Sequence, residues 1–283
     1  DNSNVTAGGA ITAEAEMLAG IFALGIGAAG SVSASSSGAG VAVGAAGSVG
    51  VNTIRNNTQA RVRNGSTLTT GADSGAGVNV TAYDGSWINS TAGAAALSIA
   101  KSQKTAVAAS LGVSLTVNDI GNTTRAAAED SDILSDGTVT VSADSDAKIE
   151  SLAFGMAVGV AISGNASAIS VGATGALSFN EIGNVVEATI RDTNPATNPT
   201  AVSAGGAVSV TASDDSSIDA VAIAASASIS GSTSASSVSV SIGLGLAHNT
   251  IDKDVSASIV NVASVLTGGG DVVVSASDAA AIE

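Results

Sequence analysis

The side chains able to do chemistry are few and scattered. The chain has one histidine, His248, and no cysteine. Thiol catalysis, disulfides and cysteine-held zinc or iron–sulfur centres are therefore excluded, and a cluster of histidine ligands cannot be built. His248 occupies the position that Val51, Val117 and Phe179 fill in related segments, so it reads as one more inward or half-buried packing residue. Carboxylates are numerous, 24 against nine lysines and arginines. Glu129, Asp130, Asp132 and Asp136 crowd into EDSDILSDG, residues 129–137, an oxygen-rich loop that suits calcium although it lacks EF-hand spacing. Tyr83 and Trp87, in VTAYDGSWIN, are the only tyrosine and tryptophan, placed either to stack on a sugar ring or to pack at a unit boundary.

These residues do not add up to an active site. A carbohydrate-cleaving enzyme would group acids with bases on one face, whereas the basic residues from Arg55 to Lys253 are spread along the chain. GIGAAG (25–30) and GAGVAVGAAG (38–47) sit inside alternating apolar runs, without the strand–turn–helix setting of a phosphate-binding loop. LTGGGD (266–271) resembles the glycine–aspartate nonapeptide of calcium-binding rolls only superficially, and it does not recur. The expectation is a non-enzymatic protein with no required cofactor, calcium being the one candidate.

Composition limits what can position such residues. Aromatic residues are 2% of the 283, charged residues 12%, and mean hydropathy is +0.43. A thick globular core needs large side chains to fill it without voids; here the available fillers are Ala, Gly, Val, Ile and Ser, which suit backbone layers lying close together. The formal charge of −15 opposes binding to nucleic acid, which requires a concentrated basic footprint. The longest apolar runs are interrupted by Ser and Gly, so no transmembrane helix is expected. No basic and apolar leader opens the chain, which is read as a segment of something longer.

Two markers repeat in step. VNTIRN (51–56), VNDIGN (117–122), FNEIGN (179–184) and HNTIDK (248–253) place Asn52, Asn118, Asn180 and Asn249 at spacings of 66, 62 and 69. Ile54, Ile120, Ile182 and Ile251 follow each by two. The second marker runs through VNVTAYD, VTVSADS, VSVTASD and VVVSASD, aligned on Ala82, Ala143, Ala212 and Ala276, with AITAEAE a fainter first copy through Ala13. A constant order at near-constant spacing implies one elongated repeat domain, 1–283. Its approximate units are 10–78, 79–139, 140–208 and 209–272, with 273–283 starting another.

Within a unit the large apolar residues alternate. Leu152, Phe154, Met156, Val158, Val160 and Ile162 share one parity, and after SGNA the set Ile169, Val171, Leu177 and Phe179 shares the other. Period two over eleven residues is a strand signature. Taken as the inward set, these residues require the chain to turn a corner between the runs. The fold expected is all-β: a parallel β-helix or β-solenoid of about four ~65-residue repeats, each giving about three coils or fewer wide ones. The alternative is an extended antiparallel sandwich of long hairpins. At each corner Val or Phe would face in, Asn would bond local backbone, and Ile would re-enter the core. RDTNPATNPTAV (191–202), with Pro195 and Pro199, reads as an inserted surface loop.

The VxVxAxD marker, the Ala/Gly/Ser-rich alternating runs and the V/F-N-x-I-x-N corner together resemble repeat regions of very large exported bacterial proteins of the filamentous-adhesin or leukotoxin-like kind. The resemblance implies a secreted or cell-surface stalk or filament-forming module whose partners are neighbouring repeats, other copies or the cell-surface matrix. It carries over no catalytic or binding residue. A calcium- or glycan-binding adhesin module and a β-helical carbohydrate-active enzyme are the alternatives.

Overall fold

The computed structural model describes residues 1–72, 74–196 and 199–283. The molecule is all-β: 74% is strand, and no helix occurs among the described residues. Every strand pairing among the described residues is parallel, in five sheets that each gather equivalent segments of successive repeats. Sheet A is made of Asn4–Ala7, Thr67–Thr70, Asp132–Ser135, Ala201–Ala204 and Ser264–Thr267. Sheet B holds Ile11–Met17, Val78–Asp84, Val139–Ser145, Val208–Asp214 and Val272–Asp278. Sheet C holds the long strands Gly20–Ser35, Trp87–Ser102, Lys148–Ser163 and Ser217–Ser232, with Ala281–Ile282. Sheet D returns through Gly40–Ile54, Ala106–Ile120, Ala168–Ile182 and Ser237–Ile251. Sheet E closes each coil with Asn57–Val62, Thr123–Glu129, Val185–Arg191 and Asp254–Val260.

One repeat is therefore one wide coil. Asn52, Asn118, Asn180 and Asn249 are direct neighbours in sheet D, and Ala82, Ala143, Ala212 and Ala276 in sheet B. The wholly parallel pairing excludes the hairpin sandwich, and the register excludes three coils per unit. The register also corrects the first copy of the second marker. Ala15, not Ala13, pairs with Ala82, because the first strand carries Ala13 where the next carries Val80.

In cross-section a coil has a body and a blade. Sheets A, B and E enclose a continuous apolar body containing Val78, Val80, Ile133, Val139, Val141, Val186, Ile190 and Val202. Sheets C and D leave this body together and pack face to face along their length, forming the blade. At its root, Ile88, Ile149 and Ile218 of sheet C meet Ile54, Ile120 and Ile182 of sheet D. Burying each such isoleucine stabilises the fold by about 1.5–3 kcal/mol.

Beyond the root, the expected facing is inverted. The inward residues of the third coil are Ser151, Ala153, Gly155, Ala157, Gly159 and Ala161, while Leu152, Phe154, Met156, Val158, Val160 and Ile162 point outward. Sheet D does the same: Ala168, Ser170, Thr174 and Ala176 face in, and Ile169, Val171, Leu177 and Phe179 face out. The reason is the closeness of the two sheets. A methyl group on Gly112 would lie 2.8 Å from the Met156 carbonyl oxygen, and one on Gly27 would lie 2.2 Å from that of Gly47. No leucine or phenylalanine fits between such layers. Serines stitch them instead, Ser98 Oγ donating to the Ala109 carbonyl at 2.5 Å and Ser228 Oγ to that of Val240 at 2.7 Å.

Candidate functional site: buried polar columns and exposed apolar faces

Because sheet D is in register, each inward asparagine stands directly over its equivalent. Asn52 Nδ2 donates to Asn118 Oδ1 at 2.8 Å, Asn118 to Asn180 at 2.7 Å, and Asn180 to Asn249 at 2.8 Å. The second Nδ2 hydrogen of each reaches a hydroxyl, Ser90 at 3.1 Å, Ser151 at 3.2 Å and Ser178 at 2.9 Å. This is a buried amide column running along the stack, with each amide polarising the next. It corrects two expectations. The asparagine faces inward and Val51 outward, 8% and 68% exposed respectively. The partners are side chains, all but Ser178 from an adjacent coil, and not local backbone. Ile54, Ile120 and Ile182 are buried as expected, and Ile251 of the fourth coil packs against that same cluster.

A second column stands at the true corner, between sheets D and E. The Oδ1 of Asn122 accepts the Asn56 backbone N–H at 2.9 Å, and the Oδ1 of Asn184 accepts that of Asn122 at 3.1 Å. Across the root they meet buried acids of sheet B. Asn122 Nδ2 donates to Asp84 at 2.8 Å, and Asn184 Nδ2 to Asp214 at 3.1 Å. In the fourth coil Lys253 replaces the asparagine, with Nζ 2.9 Å from Asp214 and 2.5 Å from Asp278. Burial works to lower the Lys253 pKa, but the hydrogen bonds and charges of Asp278 and Asp214 prevail and raise it above the ordinary lysine value.

The four acids proposed for calcium point to different partners. Glu129 is held by Arg61, Arg125 and Arg191, with Arg125 Nη2 at 2.7 Å. Burial pushes the Glu129 pKa up, yet hydrogen bonds from Arg61 and Arg191 and the charge of Arg125 bring it below the usual carboxylate value. Asp130 accepts the Thr193 N–H at 2.5 Å and its hydroxyl at 2.6 Å. Asp132 accepts the Ala201 N–H at 2.9 Å, and Asp136 the Gly75 N–H at 2.7 Å. Among the described residues no group of three or more His, Asp or Glu side chains is arranged to hold a metal ion. These acids tie successive coils together, Glu129 between strands of sheet E, Asp132 at the start of a sheet A strand, and Asp130 and Asp136 at the turns beside the strands. The 191–202 loop is tied back in part, Asp192 accepting the Asn194 and Thr200 backbone N–H groups at 2.7 and 2.8 Å, while its residues 197 and 198 lie outside the described residues.

Tyr83 and Trp87 lie on separate sheets and are half-exposed. The Trp87 indole covers Gly20 of the preceding coil, where a methyl group would meet it at 2.5 Å. The Tyr83 pKa is raised by burial and by Asp146, Glu16 and other nearby acids. The ring contact among the described residues is elsewhere, between Phe179 and His248, with centroids 6.2 Å apart. His248 stands exposed on the outer face of sheet D in the fourth coil, not inward, because it shares the parity of Phe179 and Val51.

The most extensive surface feature is the pair of outer blade faces. On sheet D six successive outward rows, from Val41, Val107, Ile169 and Val238 to Val51, Val117, Phe179 and His248, are apolar except for His248. The row that follows, next to the body, is Thr53, Asp119, Glu181 and Thr250, with Arg55 pairing Asp119. Sheet C is less uniform, its outward positions including Asn89, Thr91, Lys101, Glu150 and Asp219. Treating the large residues as core hid these faces from the sequence reading. The signal available was parity: Ile149 alternates in phase with Ser151 and Ala153, not with Leu152. No helix of the described residues is long and apolar enough to cross a membrane.

Comparison with protein-family models, with curated proteins and with solved structures finds no match for the chain.

Proposed function

We propose that the chain is a structural, assembly-forming segment of a large bacterial cell-surface or secreted protein, adhesive through its broad faces. The observation carrying this reading is the geometry of the coil. Each repeat places some 61 to 69 residues in a single turn, and one turn adds only about 4.8 Å along the stack. A spacer built for reach would use short coils. Here roughly half of each turn forms a blade whose strands extend about 50 Å sideways, and its larger side chains face outward. Leaving such faces uncovered is unfavourable, since the largest apolar patch on a typical monomer is about 300–600 Å². A segment of this shape contributes lateral surface to a filament or sheet. The columns of Asn, Asp and Arg support the reading by fixing the register that keeps the faces continuous.

Sedimentation velocity and small-angle scattering, run from dilute to concentrated protein, test it. The expected result is reversible, concentration-dependent association of particles having the blade's flat cross-section. A monomer at every concentration, with blade faces freely hydrated, would contradict it.

A further inference from the structure

We infer that the outer face of sheet D is covered by a second copy of the chain, packed about a two-fold axis that runs along the strands. The inference rests on the assembly reading above and identifies the surface and partner. Area is the first argument. Six apolar rows of four strands span about 33 by 19 Å, so two facing copies bury about 1,300 Å². That reaches the lower end of the ~1,200–2,000 Å² of stable interfaces, and each further coil adds to it.

Shape is the second. Along the stack, the two central rows alternate small and large: Ala45, Leu111, Ala173, Ile242 and Gly47, Val113, Gly175, Leu244. A two-fold axis along the strands reverses coil order and keeps the rows. Leu111 and Val113 of one copy then fall on Ala173 and Gly175 of the other, and Ile242 and Leu244 fall on Ala45 and Gly47. A self-complementary patch of this kind is what an isologous dimer requires. The small positions are open: an added methyl at Gly47 or Gly175 meets nothing nearer than 3.8 or 3.9 Å. On sheet C the comparable hollow at Gly93 is already filled from within, since a methyl there would meet the Phe154 ring at 2.1 Å. Lipid is the less suitable cover. Fluid acyl chains need no alternation of small and large side chains, and the face runs directly into the row that carries Asp119 and Glu181.

The test uses the 283-residue chain. Gly175→Val fills a hollow, Leu111→Lys charges the face, and Met156→Lys charges sheet C instead. Sedimentation equilibrium should show a dimer whose dissociation constant rises at least tenfold for the first two variants and is unchanged for the third. Circular dichroism should be the same in all, because each altered side chain points outward. In unsubstituted faces, a single nitroxide at Lys104→Cys, on the blade tip, should report a pair distance under about 25 Å, from sheets about 10 Å apart offset by one coil. A distance near 50 Å would mean opposed blades and overturn the arrangement. A dimer indifferent to Gly175→Val and Leu111→Lys, as end-to-end stacking would give, overturns the inference and leaves the assembly reading standing. A monomer that binds neutral phosphatidylcholine vesicles overturns it in favour of lipid, and a monomer that binds nothing overturns both readings.

Discussion

Removing one amide from the middle of the asparagine column should cost more than removing the amide at its end. In Asn118→Ala, Asn52 loses its 2.8 Å acceptor but retains Ser90, and Ser151 retains Thr116 and Ser178. Asn180 Oδ1 is left without its 2.7 Å donor inside the blade root. A buried group orphaned in this way costs about 1–3 kcal/mol, and each of the other lost bonds about 1. With the Asn52 and Ser151 bonds as the other two, the sum is about 3–5 kcal/mol. Asn249→Ala removes one bond from a half-buried residue of the fourth coil, for about 1 kcal/mol. Guanidinium unfolding followed by circular dichroism measures both, with hydrogen exchange showing whether the loss is local, since stacked repeats need not unfold as one unit. Equal midpoint shifts for the two variants would refute the claim that the column is a continuous buried element.

The inverted blade makes opposite demands on adjacent residues. Gly112→Val forces bulk against the Met156 carbonyl, 2.8 Å from the first added carbon, and should destabilise by about 1–3 kcal/mol, whereas outward Val113→Ala should stay within about 0.5 kcal/mol; thermal melts of dilute protein decide. Lys253→Met strands buried Asp214 and should cost about 3–5 kcal/mol, while Lys253→Asn, which restores the residue of the other coils, should cost less. Because the folded pKa of Lys253 is raised, its contribution is complete below the ordinary lysine value and is lost as pH rises through the folded one, so the wild type should lose alkaline stability that Lys253→Asn does not. Glu129 has the opposite sign: its depressed folded pKa gives stability present above the ordinary carboxylate value and lost as pH falls through the folded one. Glu129→Gln should flatten that acid limb in urea titrations.

Much of this architecture was readable from residue spacing. The two markers, Asn–x–Ile and Val–x–Val–x–Ala, do stand in register, and alternation identified the long strands. What could not be read was which parity faces in. Hydrophobicity favoured Leu152 and Phe154 as core, yet the separation of two sheets is set by backbone contact at positions such as Gly27 and Gly112, which only three dimensions reveal. The same gap hid the partners of Asn118, since its neighbours in space are 62 and 66 residues away. Lys253 looked like a lapse in the repeat. It compensates instead for two carboxylates, Asp214 and Asp278, that share its end of the stack. Glu129, Asp130, Asp132 and Asp136 looked like one oxygen-rich loop because they are adjacent in sequence, but strand alternation and the intervening corner send them to separate partners.

The central claim, one coil per repeat, is tested most directly by pairs of nitroxide labels on the outer face of sheet B, on this cysteine-free chain. Thr81 and Ser142 are register partners, so labels on both should sit about 5 Å apart and give a spectrum strongly broadened by spin exchange; labels on Thr81 and Thr211, two coils apart, should interact more weakly. A Thr81–Ser142 spectrum equal to the sum of the two single-label spectra would contradict the account.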